Sequence, residues 1–270
     1  MRYIKYNHLL IIIFVLTLLC FAWIRWDPTP WLNAQLANQG LQNSVQIESA
    51  EKSMLGLRLH QVHLTQPTGG IITLATIEIH PAWLTILRGI PALHIQTTMA
   101  GSDGEATIAL VDGTIALSKI QLNSNAKIIA ALFSQAAIIQ PSGSLHLSGA
   151  ITLNRQNGMP LQGNITLHWS DAASPLLGTT PLGDFSLTLS SQQGKWQWGL
   201  KGGKTIATNG AGTVTTSSAS LTHWGITGHI HIQAHGSPPA IIAAMLHAGS
   251  ANVVISGTLS QPISQIEHTI

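Results

Sequence analysis

The chain has 270 residues, of which 45% are hydrophobic and only 8% charged, with a formal net charge of +2. Disordered chains are rich in charge and poor in apolar residues, so that class is excluded, and the length allows a real core in one large domain or two small ones. Arg58, Arg88, Lys119, Lys127, Arg155, Lys195, Lys201 and Lys204 are scattered along the chain. With no dense basic stripe to neutralise phosphates, no nucleic-acid partner is expected.

Residues 1–8 form a short tail carrying Arg2 and Lys5, followed by the uncharged run Leu9 to Ile24, LLIIIFVLTLLCFAWI. Sixteen residues make roughly 24 Å of helix, short of a hydrocarbon layer of about 30 Å, but extension from Tyr6 to Trp26 closes the gap. Tyr3, Tyr6, Trp23 and Trp26 then fall at the two interfaces, where amphipathic rings prefer to sit. About a dozen Leu, Ile, Phe and Val residues, among them Leu9, Ile13, Leu16, Phe21 and Ile24, supply about −4 to −7 kcal/mol on the insertion scale. The segment 9–26 is therefore predicted as a transmembrane anchor. The rival, a cleaved signal peptide, wants a small-x-small site, whereas the run ends in Ala22-Trp23-Ile24-Arg25-Trp26. A lipoprotein reading of Cys20, the only cysteine, fails on bulky Leu19. Arg2 and Lys5 orient the anchor with its N-terminus in the cytoplasm. Residues 27–270 are then outside it, in the periplasm of a Gram-negative cell.

Beyond the anchor, Thr29-Pro30-Trp31 through Gly40 predicts a short helix, capped by Thr29, begun at Pro30 and closed at Gly40. The same punctuation recurs from Pro81 to Gly89 and from Pro238 to Gly249, and Lys127 to Gln135 predicts a further helix. Between them the period is two. Leu145, Leu147, Ile151 and Leu153 alternate with His146, Ser148 and Thr152; Ile165, Leu167 and Trp169 with Thr166 and His168; Phe185, Leu187 and Leu189 with Ser186 and Thr188. Val253, Ile255 and Leu259 continue the pattern. Such alternation means antiparallel strands with one buried and one wet face. Asn157-Gly158, Gly202-Gly203 and Asn209-Gly210 are expected to make turns. The fold class is mainly β: an N-terminal transmembrane helix followed by curved antiparallel β-sheets with a few short helices. Segments 45–89 and 183–249 each end near a Pro-started helix, which hints at duplication, with two halves meeting near Pro141.

The search for chemistry finds little. Asp103 and Glu105 flank Gly104 and read as a solvated turn, and no G-x-S-x-G elbow, P-loop or H-E-x-x-H is present. Gly210-Ala211-Gly212 opens a strand rather than a phosphate-binding helix. The Lys195 to Lys204 cluster reads as a solvated hairpin. His229 and His231 share a strand face and are the candidate zinc ligands, yet Ile230 and Ile232 opposite them make that face an ordinary wet one, with no cysteine or carboxylate nearby. His60 and His63, three apart, should point to opposite faces. Trp83, Trp169 and Trp224 read as core, Trp196 and Trp198 as core or as a contact patch. The sequon Asn164-Ile165-Thr166 lies mid-strand. No enzyme and no cofactor are expected.

A set of small structural motifs runs through most of the chain: Ile79-His80-Pro81-Ala82-Trp83-Leu84 leading to Arg88-Gly89, Leu147-Ser148-Gly149-Ala150-Ile151 with Leu161-Gln162-Gly163-Asn164, Trp169-Ser170-Asp171-Ala172, Pro181-Leu182-Gly183-Asp184-Phe185, and Pro238 to Gly249 with Gly257-Thr258-Leu259. In these the chain resembles protein N of the bacterial type II secretion system. It departs at Ser53-Met54-Leu55-Gly56, where that family usually shows a turn containing Gly and Trp. The resemblance implies a non-catalytic accessory component of the inner membrane, working with other secretion components and with membrane lipids to export folded proteins from the periplasm. It also implies likeness, at fold level, to AsmA-like lipid-handling proteins. A one-sided sheet with few charges could itself fold into a trough whose apolar face holds acyl chains, so a lipid-binding or lipid-transfer role is the alternative. A zinc-dependent activity at His229 and His231 is the third.

Overall fold

The computed structural model describes residues 26–53, 56–65, 71–131, 140–175, 181–192, 195–217, 223–235, 238, 240–246, 249–259 and 261–267. The described chain forms one 14-stranded sheet rather than several. Its strands are β1 (Val45–Ser53), β2 (Gly56–Thr65), β3 (Ile71–Pro81), β4 (Ala92–Met99), β5 (Ser102–Val111), β6 (Thr114–Asn125), β7 (Ser142–Asn154), β8 (Pro160–Ala173), β9 (Gly183–Gln192), β10 (Lys195–Gly202), β11 (Ile206–Thr215), β12 (Gly225–Ala234), β13 (Ser250–Gly257) and β14 (Pro262–Glu267). Their spatial order is their sequence order, and each pairs antiparallel with the next. On either side of Pro141, β6 and β7 pair from Thr114↔Asn154 to Asn125↔Ser144, so the sheet runs unbroken past it.

Four short helices accompany the sheet: α1 (Pro28–Asn38), α2 (Trp83–Ile86), α3 (Ala126–Ala131) and α4 (Ala240–Met245). All four fall where the Pro and Gly punctuation places them, but the details differ. The cap of α1 is Asp27, whose carboxylate accepts from the Thr29 backbone N–H at 2.9 Å. Thr29 is instead turned to the sheet, where its Oγ1 accepts from the Ala50 N–H at 3.0 Å. Pro81 is the last residue of β3, paired with Leu93, and does not begin α2. Asn125 caps α3 by accepting from the Lys127 N–H at 2.9 Å. Gly40, Gly89 and Gly249 take the positive φ expected of closing residues. Among the described residues no helix is long and apolar enough to cross a membrane. The anchor residues Leu9, Ile13, Leu16, Phe21 and Ile24, and the basic Arg2 and Lys5, lie outside the described residues.

Turns fall at Asn157-Gly158 and at Gly203, as the sequence predicts. Two predicted turns do not exist. Asn209-Gly210 lies inside β11, where Asn209 pairs with Lys201 and Gly210 with Leu200. Gly210 is there because a larger residue would not fit: a Cβ would lie 2.8 Å from Ile230 and 3.2 Å from the Trp198 ring. For the same reason Gly210-Ala211-Gly212 does not open the strand but fills its middle. Asp103 and Glu105 lie inside β5, with the turn just before them at Gly101.

Two residues with positive φ mark β-bulges that bend their strands. Around Lys119 in β6 the register shifts by one between Leu117 and Ile120, and around Asp171 in β8 between Trp169 and Ala172. A third, Gln61 in β2, has a φ of 50° and resets the alternation. Leu59 and Val62, three apart, both enter one cluster with Ala50, against which Ile47, Leu74 and Ile77 pack. The phase slips in three adjacent strands together, so the apolar face stays continuous across them.

Candidate functional site: the apolar face of the sheet

Alternation gives the sheet two unlike faces. One gathers Val45, Leu64 and Leu74 at the β1 end, then Ile95, Leu122, Leu147 and Leu167 in the middle, then Leu189, Trp198, Ile230 and Val253 toward β14. The cross-strand pairs Leu122↔Leu147, Leu147↔Leu167, Leu167↔Leu187 and Trp198↔Leu189 keep these residues in line. The other face carries Arg58, Glu78, Gln96, Asn123, His146, Thr188, Gln197 and His231.

Among the described residues, only parts of the apolar face are covered. At the β1 end, Leu32 of α1 packs on the cluster of Ala50, Leu59 and Val62. Further along, Ile242 of α4 packs with Trp169 and Phe185 on Ala172, Leu182 and Ile206. Trp196, Trp198, Val214 and Trp224 form the third cluster. Trp196 and Trp198 are thus core, and so is Trp224, while Trp169 is half-buried with its ring 5.9 Å from that of Phe185. Elsewhere Leu93, Leu110 and Leu187 on this face remain 45%, 42% and 39% exposed. Complete burial of such a side chain is worth about 1.5–3 kcal/mol, so a large part of that gain is unrealised along the middle strands. Leu93 and Leu110 lie close together on β4 and β5, and Leu187 lies four strands from Leu110 on β9. The exposed apolar surface is thus spread along this face, which makes the face a candidate interaction surface or ligand groove.

On the polar face the side chains mostly bind one another. Asn123 donates to Asp103 at 2.9 Å and its amide oxygen lies 2.6 Å from His146 Nδ1. These three border a cleft of about 630 Å³ with Ser144, Ser170 and Asp171 at one end of β5 to β8. Arg58 and Glu78 form an ion pair at 2.7 Å, and His80 Nε2 lies 3.3 Å from the other Glu78 oxygen. These two donors, His80 first and Arg58 second, hold the Glu78 carboxyl below the usual glutamate range. The Asp27 carboxyl is lowered chiefly by the Thr29 backbone N–H it caps.

His229 and His231 sit on the polar face of β12, opposite Val254 and Asn252. His231 Nδ1 is engaged with Asn252 Oδ1 at 2.8 Å. Among the described residues no group of three or more His, Cys, Asp or Glu side chains is placed to hold a metal ion. His60 and His63 occupy the same face, not opposite ones, because Gln61 between them resets the phase. His63 Nδ1 lies 2.9 Å from Thr73 Oγ1, and His60 Nε2 lies 3.4 Å from Glu51. Lys195, Lys201 and Lys204 are exposed. Trp83, read as core from its neighbours, is exposed, because the strand ends at Pro81 and carries it past the sheet on α2. Sequence reasoning offers an apolar trough but not which part of it is open: alternation reveals such a face but not whether anything covers it.

The sequence model of the family described as "type II secretion system (T2SS), protein N" matches residues 59–252, which takes in β3 to β12 and parts of β2 and β13. In comparison with curated proteins and with solved structures, nothing matches. The match covers well over half of the chain, and the chain therefore belongs to the type II secretion system protein N family.

Proposed function

We propose that this protein is a non-catalytic accessory component of the type II secretion system, held in the inner membrane by residues 9–26 with its β domain in the periplasm. The observation that carries this reading is the family match, which ties the chain to type II secretion. The uncharged run from Leu9 to Ile24 and the basic Arg2 and Lys5 support the location. In this role the sheet is a scaffold that meets other inner-membrane components of the machine while folded proteins leave the periplasm. The test is crosslinking in intact cells followed by purification from membranes. Secretion components should be recovered with the protein; their absence across several crosslinker lengths sinks the proposal.

A second reading, lipid binding, is favoured by one observation: the half-covered apolar face at Leu93, Leu110 and Leu187. Acyl chains would complete the burial that α1 and α4 begin, with no polar groups to satisfy. A photoreactive residue in place of Leu187 should capture lipid in cells. Capture of protein alone would count for scaffolding and against the lipid groove.

A further inference from the structure

One loop of the sheet is unlike its neighbours. Between β3 and β4 the chain makes the single turn of α2 and presents Trp83, Leu84 and Leu87 at 50%, 80% and 80% exposure. Spacings of three and four residues bring Leu84 and Trp83 alongside Leu87, so the three form one apolar tip. Arg88 follows directly, is exposed, and forms no ion pair among the described residues. The next turns along the same end of the sheet, Asp112-Gly113 and Arg155 to Gly158, are polar.

The position of this tip relates it to the N-terminus. Helix α1 runs back along β1: in the turn that follows the helix, the Leu41 carbonyl accepts from the N–H of Val45, the strand's first residue, and the helix's first turn meets Ala50 through Thr29. Asp27 therefore lies near Lys52, whose charge acts on it, close to where β1 ends at Ser53. That is the end at which β3 delivers α2. Ser53 pairs with Gly56, and a Cβ on Gly56 would lie 2.0 Å from the Ile79 carbonyl, two residues before Pro81. Two strand spacings, about 10 Å, separate β1 from β3. The described chain begins on the same end with Trp26, exposed and set edge-on to Trp31 at 5.9 Å.

We propose that the tip formed by Trp83, Leu84, Leu87 and Arg88 is a second membrane contact, lying in the interface of the bilayer that holds the N-terminal segment. Tryptophan and leucine with an adjacent arginine suit that boundary: rings and alkyl groups enter below the headgroups and the guanidinium meets lipid phosphate. One anchor leaves a domain free to rotate about its tether. A second contact at the same end of the sheet, two strands along from β1, fixes which end of the sheet faces the bilayer and lets the remaining strands extend from it. This inference rests on the anchor reading above.

The full chain, with Cys20→Ser and a single Leu84→Cys carrying an environment-sensitive fluorophore, tests it in vesicles of phosphatidylcholine and phosphatidylglycerol. A second sample carries the label at Asn157→Cys, on a polar turn of the same end. The expected result is blue-shifted emission at position 84 and quenching by spin-labelled lipid several-fold stronger than at 157. Adding Arg88→Glu should reduce that quenching. Protein that floats with the vesicles while position 84 reports water overturns the tip contact and leaves the anchor standing. Protein that fails to float overturns both. A probe that turns apolar only in native membranes holding other secretion components, and never in vesicles, overturns the lipid contact in favour of a protein one.

Discussion

The indole of Trp198 lies over Gly212 and donates its Nε1 hydrogen to the Thr227 carbonyl at 3.1 Å. A Cβ on Gly212 would lie 2.5 Å from that nitrogen, and one on Gly228 would lie 2.3 Å from the same ring. Gly210, Gly212 and Gly228, on adjacent strands, thus form a flat seat on which a bulky ring is buried with its one polar atom satisfied. Trp198→Ala should cost about 3–5 kcal/mol, the range for removing a buried aromatic. Gly228→Ala should cost about 1–3 kcal/mol through overpacking. Chemical unfolding of both single variants and the double variant checks the contact, since part of the Gly228→Ala penalty should vanish once the ring is gone.

Thr29 is the link between α1 and the sheet, because its hydroxyl accepts from the Ala50 N–H. Thr29→Val keeps the shape and removes the acceptor, leaving a half-buried donor unmet at a cost of about 1–3 kcal/mol. Hydrogen exchange should quicken at Ala50 and in α1 while the middle strands are unaffected.

Glu78 gives a pH dependence whose sign follows from its depressed pKa. A carboxyl held below its unfolded value of about 4.3 adds stability above that pH and loses it as pH falls through the folded value. Glu78→Gln should therefore lower stability at neutral pH. The gap to the parent should close in acid, below the unfolded glutamate value. Melting temperatures measured from pH 7 downward report it.

His229→Ala and His231→Ala should change stability by no more than about 0.5 kcal/mol each, as for exposed strand positions. Elemental analysis of the purified protein should give the same metal content for the parent and for both variants. A drop in zinc with either substitution would revive the metal site.

Leu110→Asp and Leu187→Asp place a charge on the open apolar face. Both side chains are already more than a third exposed, so the fold should survive, with circular dichroism unchanged. Export of secreted proteins, or lipid capture, should fall sharply. Thr188→Asp, one residue along on the polar face, is the control and should act like the parent.

How much of this was legible from the residues depended on whether a signal was local. The alternation in Leu145 to Leu153 and in Phe185 to Leu189 is local, and β7 and β9 lie where it puts them. The helices were found by their Pro and Gly boundaries, though Asp27 rather than Thr29 proved to be the cap because Thr29 had a distant partner in Ala50. Asn209-Gly210 looks like a turn, yet its glycine answers to Trp198 and Ile230, from neighbouring strands. Gln61 carries no visible mark of a left-handed residue, and without it His60 and His63 fall on the wrong sides. Trp83 misled because a strand-like neighbourhood does not reveal where the strand stops. The site was the least legible part: an apolar stripe reads alike whether packed or open.

The strictly sequential strand order has a consequence for how the molecule assembles. Every described strand pairs with its neighbour in sequence, so relative contact order is low for an all-β protein and loop-closure entropy is modest at each step. A chain that emerges N-terminus first can add strands one at a time, in the order they appear, with no early segment waiting for a late one. Growth of this kind leaves only one unpaired edge advancing at any moment, which shortens the exposure of a strand-rich chain to aggregation.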